Sequence, residues 1–200
     1  TVVPNVGSFT LIVNADDKVF ESWGEAYRDT LINYSYQSSF DENFARFELY
    51  DVNSDGIPEL FISSGEARMS ELYIYTFING KVRELDNGGI IGAHGVAYVV
   101  PSKSYIYFKG GGQGNFWTMI DKFNGQELNE VANLGDTSAA VTADYYGYKF
   151  NDNKITKAQY DSYMNQYTSG SIEVGRSKSF NELTIINSNL RYWNYFEYLY

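Results

Sequence analysis

LFISSGEARMSELYIYTFING, residues 60–80, lies without a gap over YIYFKGGGQGNFWTMIDKFNG, residues 105–125, when the chain is shifted by 45 positions. Gly65 then matches Gly110, Leu72 matches Trp117, Ile74 matches Met119, Ile78 matches Phe123, and Asn79-Gly80 matches Asn124-Gly125. Apolar matches on alternate residues are the period of a half-buried strand, and Asn-Gly between two such runs is a hairpin turn. Each unit therefore predicts a strand, a glycine-containing connection, a strand, an Asn-Gly turn and a strand, with Leu72, Ile74, Trp117 and Met119 facing a common core. A third, weaker hairpin is expected at YGYKFNDNKI, residues 146–155. The following TKAQ, residues 156–159, is a capping box that opens a short helix over about 157–167.

Upstream of the first unit the period is two as well. Ala45, Phe47 and Leu49 alternate with Arg46 and Glu48, so a half-buried strand begins near Phe44. Farther toward the N-terminus, Phe20, Trp23, Tyr27, Leu31 and Tyr34 recur at steps of three and four, and Asp16 or Asp17 can cap the helix they imply, over about 17–36. TSGSIEVGRSKS, residues 168–179, reads as a loop. The segment 180–200, ending in NLRYWNYFEYLY, is compatible with either helix or strand. The expected fold is α+β: one domain over 1–200, built on a twisted antiparallel sheet of hairpin repeats over about 44–155. Two or three blade-like units are too few for a closed propeller.

Between the first two strands stands DVNSDGIPEL, residues 51–60. Calcium takes six to eight oxygens, and a tight turn supplies them from side chains at positions 1, 3 and 5, a carbonyl at 7 and an acid at 9. Those positions are Asp51, Asn53, Asp55, the carbonyl of Ile57, and Glu59, with Gly56 allowing the sharp turn. Position 12, a bidentate Glu in the helix-loop-helix calcium hand, is Ile62, and strands rather than helices flank the loop. That hand is excluded. The alternative is an Asx-rich turn without an ion, its side chains satisfying backbone amides. Three carboxylates within nine residues repel one another when no cation is present, which favours calcium.

The stretch resembles the D-x-[DN]-x-D-G-x-x-[DE]-L calcium loop between strands of FG-GAP and integrin-type propeller blades. With the YIYTFINGKV hairpin that follows, it is also similar to segments of exported and cell-surface domains of Firmicutes, among them gut and rumen fibre degraders. The resemblance covers about 44–82, more loosely runs to 127, and returns at YKFNDNKITKAQY. It implies a calcium site on an extracellular or cell-surface protein and leaves the activity open.

Composition narrows the function. A net charge of -10 and few basic residues argue against nucleic acid, whose phosphates need clustered Lys and Arg. No apolar run reaches the roughly 18–20 residues of a membrane span, so no membrane insertion is expected, and the chain reads as a mature segment whose signal peptide is removed or lies outside it. Without cysteine there is no thiol catalysis and no disulfide, a composition that suits export in organisms sparing of disulfides. Calcium loops of this kind work where calcium is near millimolar, which is outside the cell.

Catalytic signals are sparse. The single histidine, His94, excludes multi-histidine metal centres, and beside glycines it reads as a hydrogen-bonded structural residue. GGGQG, residues 110–114, lacks the Lys-Ser/Thr of a phosphate loop and reads as a flexible connection. Glu66, Glu71, Asp86 and Asp121 are available for a carboxylate pair, and the sequence pairs none of them.

Aromatics offer more, with 19 Tyr and 13 Phe. If Leu72 and Ile74 face the core, Tyr73 and Tyr75 face away from it, and Tyr105 and Tyr107 share a face in the second unit. Such rows either form an exposed platform on which sugar rings stack or lie beneath the N-terminal helix as a second core layer. Trp117 joins the platform only if the glycine run opens that edge. The function expected is a non-catalytic, calcium-binding module for a polysaccharide or a cell-surface protein. A carbohydrate- or cell-wall-active hydrolase and a structural spacer are the alternatives.

Overall fold

A computed structural model describes residues 18–86, 88–139 and 147–180. The fold is α+β, with two antiparallel sheets rather than one, and a helix on the outer face of each.

The first sheet is a meander of β1 (Arg46–Tyr50), β2 (Glu59–Ser63), β3 (Glu71–Ile78) and β4 (Lys81–Glu84), with β5 (Ile90–Ile91) also paired to β3. The second repeats that meander with β6 (Ala97–Val100), β7 (Tyr105–Gly112), β8 (Asn115–Phe123) and β9 (Leu128–Asp136), and continues into the hairpin of β10 (Tyr148–Phe150) and β11 (Asn153–Ile155). Both 21-residue units give the strands the repeat predicts, but only the first closes on a two-residue Asn-Gly turn, since in the second Phe123 pairs with Leu128 and residues 124–127 make a four-residue turn. In the first, Ile78 pairs with Lys81 across Asn79 (φ 52°) and Gly80 (φ 78°), a two-residue turn with both residues left-handed. Asn151 and Asp152 do the same between β10 and β11.

Why two sheets form is visible in β2, which is buried at all five positions. Leu60 and Ile62 face one side, where Ala45, Phe47 and Leu49 join them under the first helix, α1 (Trp23–Ser35). Phe61 faces the other side with Leu72 and Ile74, against Ala97, Val99, Ile106 and Phe108 of the second sheet. Trp117 and Met119 are partly buried against this same intersheet cluster, as the repeat requires. The outer face of the second sheet, with Tyr107, Ile120 and Leu134, is covered by Tyr160, Tyr163, Met164 and Tyr167 of α2 (Lys157–Thr168). The order of layers is helix, sheet, sheet, helix.

Several boundaries differ from expectation. The first helix begins at Trp23, with Ser22 as N-cap accepting from the Glu25 N–H at 3.3 Å. Phe20 lies before it because its N–H is spent on the Gly80 carbonyl, 2.8 Å away, which docks the incoming chain on the first hairpin turn. Asp16, Asp17 and residues 181–200 lie outside the described residues. The expected loop over 168–179 contains two short strands, β12 (Ile172–Val174) beside β6 and β13 (Lys178–Ser179) beside β1, so this segment passes from one sheet to the other. The second helix has the predicted capping box, Thr156 with Gln159.

The glycine run is not a flexible connection. Gly110 to Gly112 pair with Trp117 to Asn115 as the end of β7, and only Gln113 and Gly114 make the turn. A Cβ on Gly110 would come within 2.2 Å of Trp117 Cζ2 and 2.5 Å of the Gly92 carbonyl, so the indole occupies the space a side chain would need. Gly110→Ala is expected to lower stability by about 1–3 kcal/mol through overpacking. Gly135→Ala, whose added Cβ would lie 3.7 Å from Lys149 Cβ on ordinary backbone, should change it by less than about 0.5 kcal/mol. Urea denaturation compares the two directly, and equal midpoints would refute the packing of Trp117.

Candidate metal centre

The loop 51–58 spans β1 and β2, whose last paired residues are Tyr50 and Glu59. Three features hold it to the body. Val52 is fully buried between the sheets. Glu59, 1 % exposed, accepts from the Val52 N–H at 3.1 Å and from the Thr76 hydroxyl at 3.1 Å. Tyr27 of α1 donates its hydroxyl to the Pro58 carbonyl at 2.8 Å. Both ends and the underside of the loop are thereby tied to different layers of the fold.

Its outer side chains turn inward on their own backbone. Asp51 accepts from the N–H groups of Asp55 and Gly56 at 3.2 and 2.9 Å, Asn53 accepts from Asp55 N–H at 3.3 Å, and Asp55 accepts from Ile57 N–H at 2.8 Å. The Asn53 amide also donates to Asp55 at 2.8 Å. Ser54 (φ 60°) and Gly56 (φ 87°) supply the left-handed backbone that this winding needs. A Cβ on Gly56 would meet nothing within 4 Å, so conformation rather than space selects glycine there.

Of the five expected ligands, Asp51, Asn53 and Asp55 thus meet in one hydrogen-bonded cluster, Ile57 follows in the same loop, and Glu59 opens β2 with its carboxylate on Val52 N–H and the Thr76 hydroxyl. Among the described residues no three Asp, Glu or His side chains stand close enough together to form a ready metal cluster. The donor set nonetheless suits calcium. The Asp51, Asn53 and Asp55 side-chain oxygens accept one N–H bond each, and a carboxylate offers about four lone-pair sites. Burial pushes the Glu59 carboxyl up to about 8, with Asp55 and Asp51 raising it further against the hydrogen bonds from Val52 and Thr76.

The aromatic rows have the other of their two outcomes. Tyr73 and Tyr75 pack under α1 with Tyr34, whose ring centroid is 5.7 Å from that of Tyr73. Tyr105 packs on Tyr167 of α2, and Tyr107, 2 % exposed, stacks on Tyr98 at 4.9 Å and shares a hydrogen bond with Ser171. Trp117 sits between the sheets. The rows are core layers because each sheet has two apolar faces and two helices cover the outer ones.

The carboxylates do not gather either. Glu71 accepts the Tyr73 hydroxyl at 2.5 Å, and Asp121 is buried on the second sheet with Glu130 opposite in register, its carboxyl pushed up to about 6 by burial and then by Glu130. Asp86 accepts from the Ile74 N–H at 3.1 Å and lies beside Glu84, two residues before it. His94 is exposed, at φ 57° in a turn, rather than held by hydrogen bonds in the interior.

Compared with models of known families, with curated proteins and with solved structures, the chain shows no match. Among the described residues no helix is long and apolar enough to cross a membrane.

Burial and the Glu84 charge push the Asp86 carboxyl from 3.8 up to about 7. An acid whose folded pKa is raised stabilises the fold while protonated, so its contribution is complete below about pH 3.8 and is lost as pH rises through 7. Asp86→Asn should therefore raise the melting temperature at pH 8 relative to the parent and have little effect at pH 4. A gain at pH 4 as large as that at pH 8 would overturn the assignment.

Proposed function

We propose that this chain is a calcium-stabilised, non-catalytic module of an exported or cell-surface protein. The observation that carries the reading is the hydrogen-bonded Asp51-Asn53-Asp55 cluster in a loop tied to the buried Glu59 and the intersheet core by Val52 and to α1 by Tyr27. An ion held by Asp51, Asn53, Asp55, the Ile57 carbonyl and Glu59 would neutralise these acids and fasten β1 to β2 where both layers meet. Its role is electrostatic and structural. Loops of this donor type need calcium near the millimolar level, and together with the absence of cysteine and the resemblance to FG-GAP-type loops this supports an extracellular setting. The negative net charge suits a polysaccharide or protein partner rather than nucleic acid.

Calcium at about a hundred times its Kd would add about 2.7 kcal/mol to the unfolding free energy, or about 5–10 °C in melting temperature for a chain of this size. Asp55→Ala should remove that rise while leaving a folded protein. Magnesium should give a smaller shift, since it demands a tighter octahedral shell. Differential scanning calorimetry with calcium, magnesium and chelator decides the matter, and superimposable calcium and chelator curves would end the proposal.

A further inference from the structure

Beyond the end of α2, the outer face of the second sheet opens into a cleft of about 410 Å³. Its floor is the backbone of Gly110 and Gly111, and its walls include Lys109, Phe116, Tyr98, Arg176 and Glu66, with His94 at the rim. In register terms Lys109 and Gly111 continue the row of Tyr105 and Tyr107 along β7, past the part that the second helix covers, and Phe116 is the partner of Gly111 on β8. What distinguishes the cleft is charge. Lys109 is exposed and, among the described residues, has no carboxylate partner; its ammonium lies 4.9 Å from the Tyr98 ring centroid and 5.1 Å from that of Tyr107. Arg176 is held by Glu173 at 2.8 Å. Two cations, Lys109 and Arg176, thus line one glycine-floored cleft on a molecule whose net charge is -10.

Gly111 is required here for a close approach. Its φ is 129°, and a Cβ would come within 2.2 Å of the Asn115 carbonyl and 2.7 Å of Phe116 Cα, so the floor stays bare and the Phe116 ring, 49 % exposed, stands beside it. An exposed ring next to a bare backbone accepts a flat apolar face, the Lys109 ammonium accepts a carboxylate, and Glu66 accepts hydroxyl protons.

We propose that this cleft binds a carboxylated sugar, a uronate unit of an acidic glycan, with the pyranose against Phe116 and its carboxylate at Lys109 and Arg176. The exposed Phe116 ring beside the bare backbone of Gly111 favours a ligand that presents a flat apolar ring face next to its carboxylate, which a glutamate-rich peptide lacks. The volume suits one or two sugar rings. The site shares no residue with the calcium loop, so the two readings stand or fall separately.

The test titrates trimers of galacturonate, glucuronate and mannuronate into the 15N-labelled full chain, with free calcium held constant. At least one trimer should shift the amides of Lys109, Gly110, Gly111 and Phe116, and its methyl ester should bind at least about tenfold more weakly, the loss of one charge-assisted hydrogen bond. Lys109→Met should cost about the same factor and Phe116→Ala several-fold, both with unchanged melting temperature. The same amide shifts should persist in the Asp55→Ala chain, which keeps this result apart from failure of the calcium loop. No shift with any trimer, shifts elsewhere on the surface, an ester that binds equally well, or a glutamate-rich peptide that binds as tightly as the trimer would overturn the proposal.

Discussion

Both sheets are apolar on both faces, and everything else in the fold follows from covering them. Strand β2 has no solvent face at all: Leu60 and Ile62 point to α1 while Phe61 points to the second sheet. A strand buried on both sides reads as a continuous apolar run and needs a layer above and below it. The duplicated meander supplies one layer for each sheet, since Leu72 and Ile74 of the first unit meet the cluster that holds Trp117 and Met119 of the second. Two helices supply the outer layers.

The same constraint explains the use of tyrosine. A ring with a hydroxyl can fill a layer between helix and sheet and still satisfy a polar atom at its rim. Tyr27 reaches the Pro58 carbonyl, Tyr73 reaches Glu71, and Tyr107 reaches Ser171. Aromatic abundance is thus spent largely on joining layers, and among the described residues the outer face of the second sheet carries an exposed ring, Phe116, beyond the reach of α2.

Buried acid is the counterweight to this packing. Glu59 and Asp86 each sit where a backbone N–H needs an acceptor, at Val52 and Ile74, and each has its carboxyl pushed up by burial and by a neighbouring acid. The two differ in surroundings. Glu59 follows a loop whose remaining donors are all oxygens, whereas Asp86 lies beside Glu84 at the margin of the first sheet. That difference is why the calcium reading rests on the first and a purely pH-dependent stability on the second.

Strand period, hairpin turns, the capping box and the oxygen spacing of the loop were all determined by residues adjacent in sequence. Asn79-Gly80 needs only its own left-handed backbone, Thr156-Gln159 only each other, and Asp51 to Glu59 only a tight turn. The tertiary structure decided what lies on each face. Nothing local to Tyr73, Tyr75, Tyr105 or Tyr107 says whether a helix will cover them, because period two marks two faces as different without saying which is wet. Nor could spacing reveal that residues 172–179 would add a strand to both sheets. Those pairings join positions far apart in the chain, and they exist only once two apolar sheets have been pressed face to face.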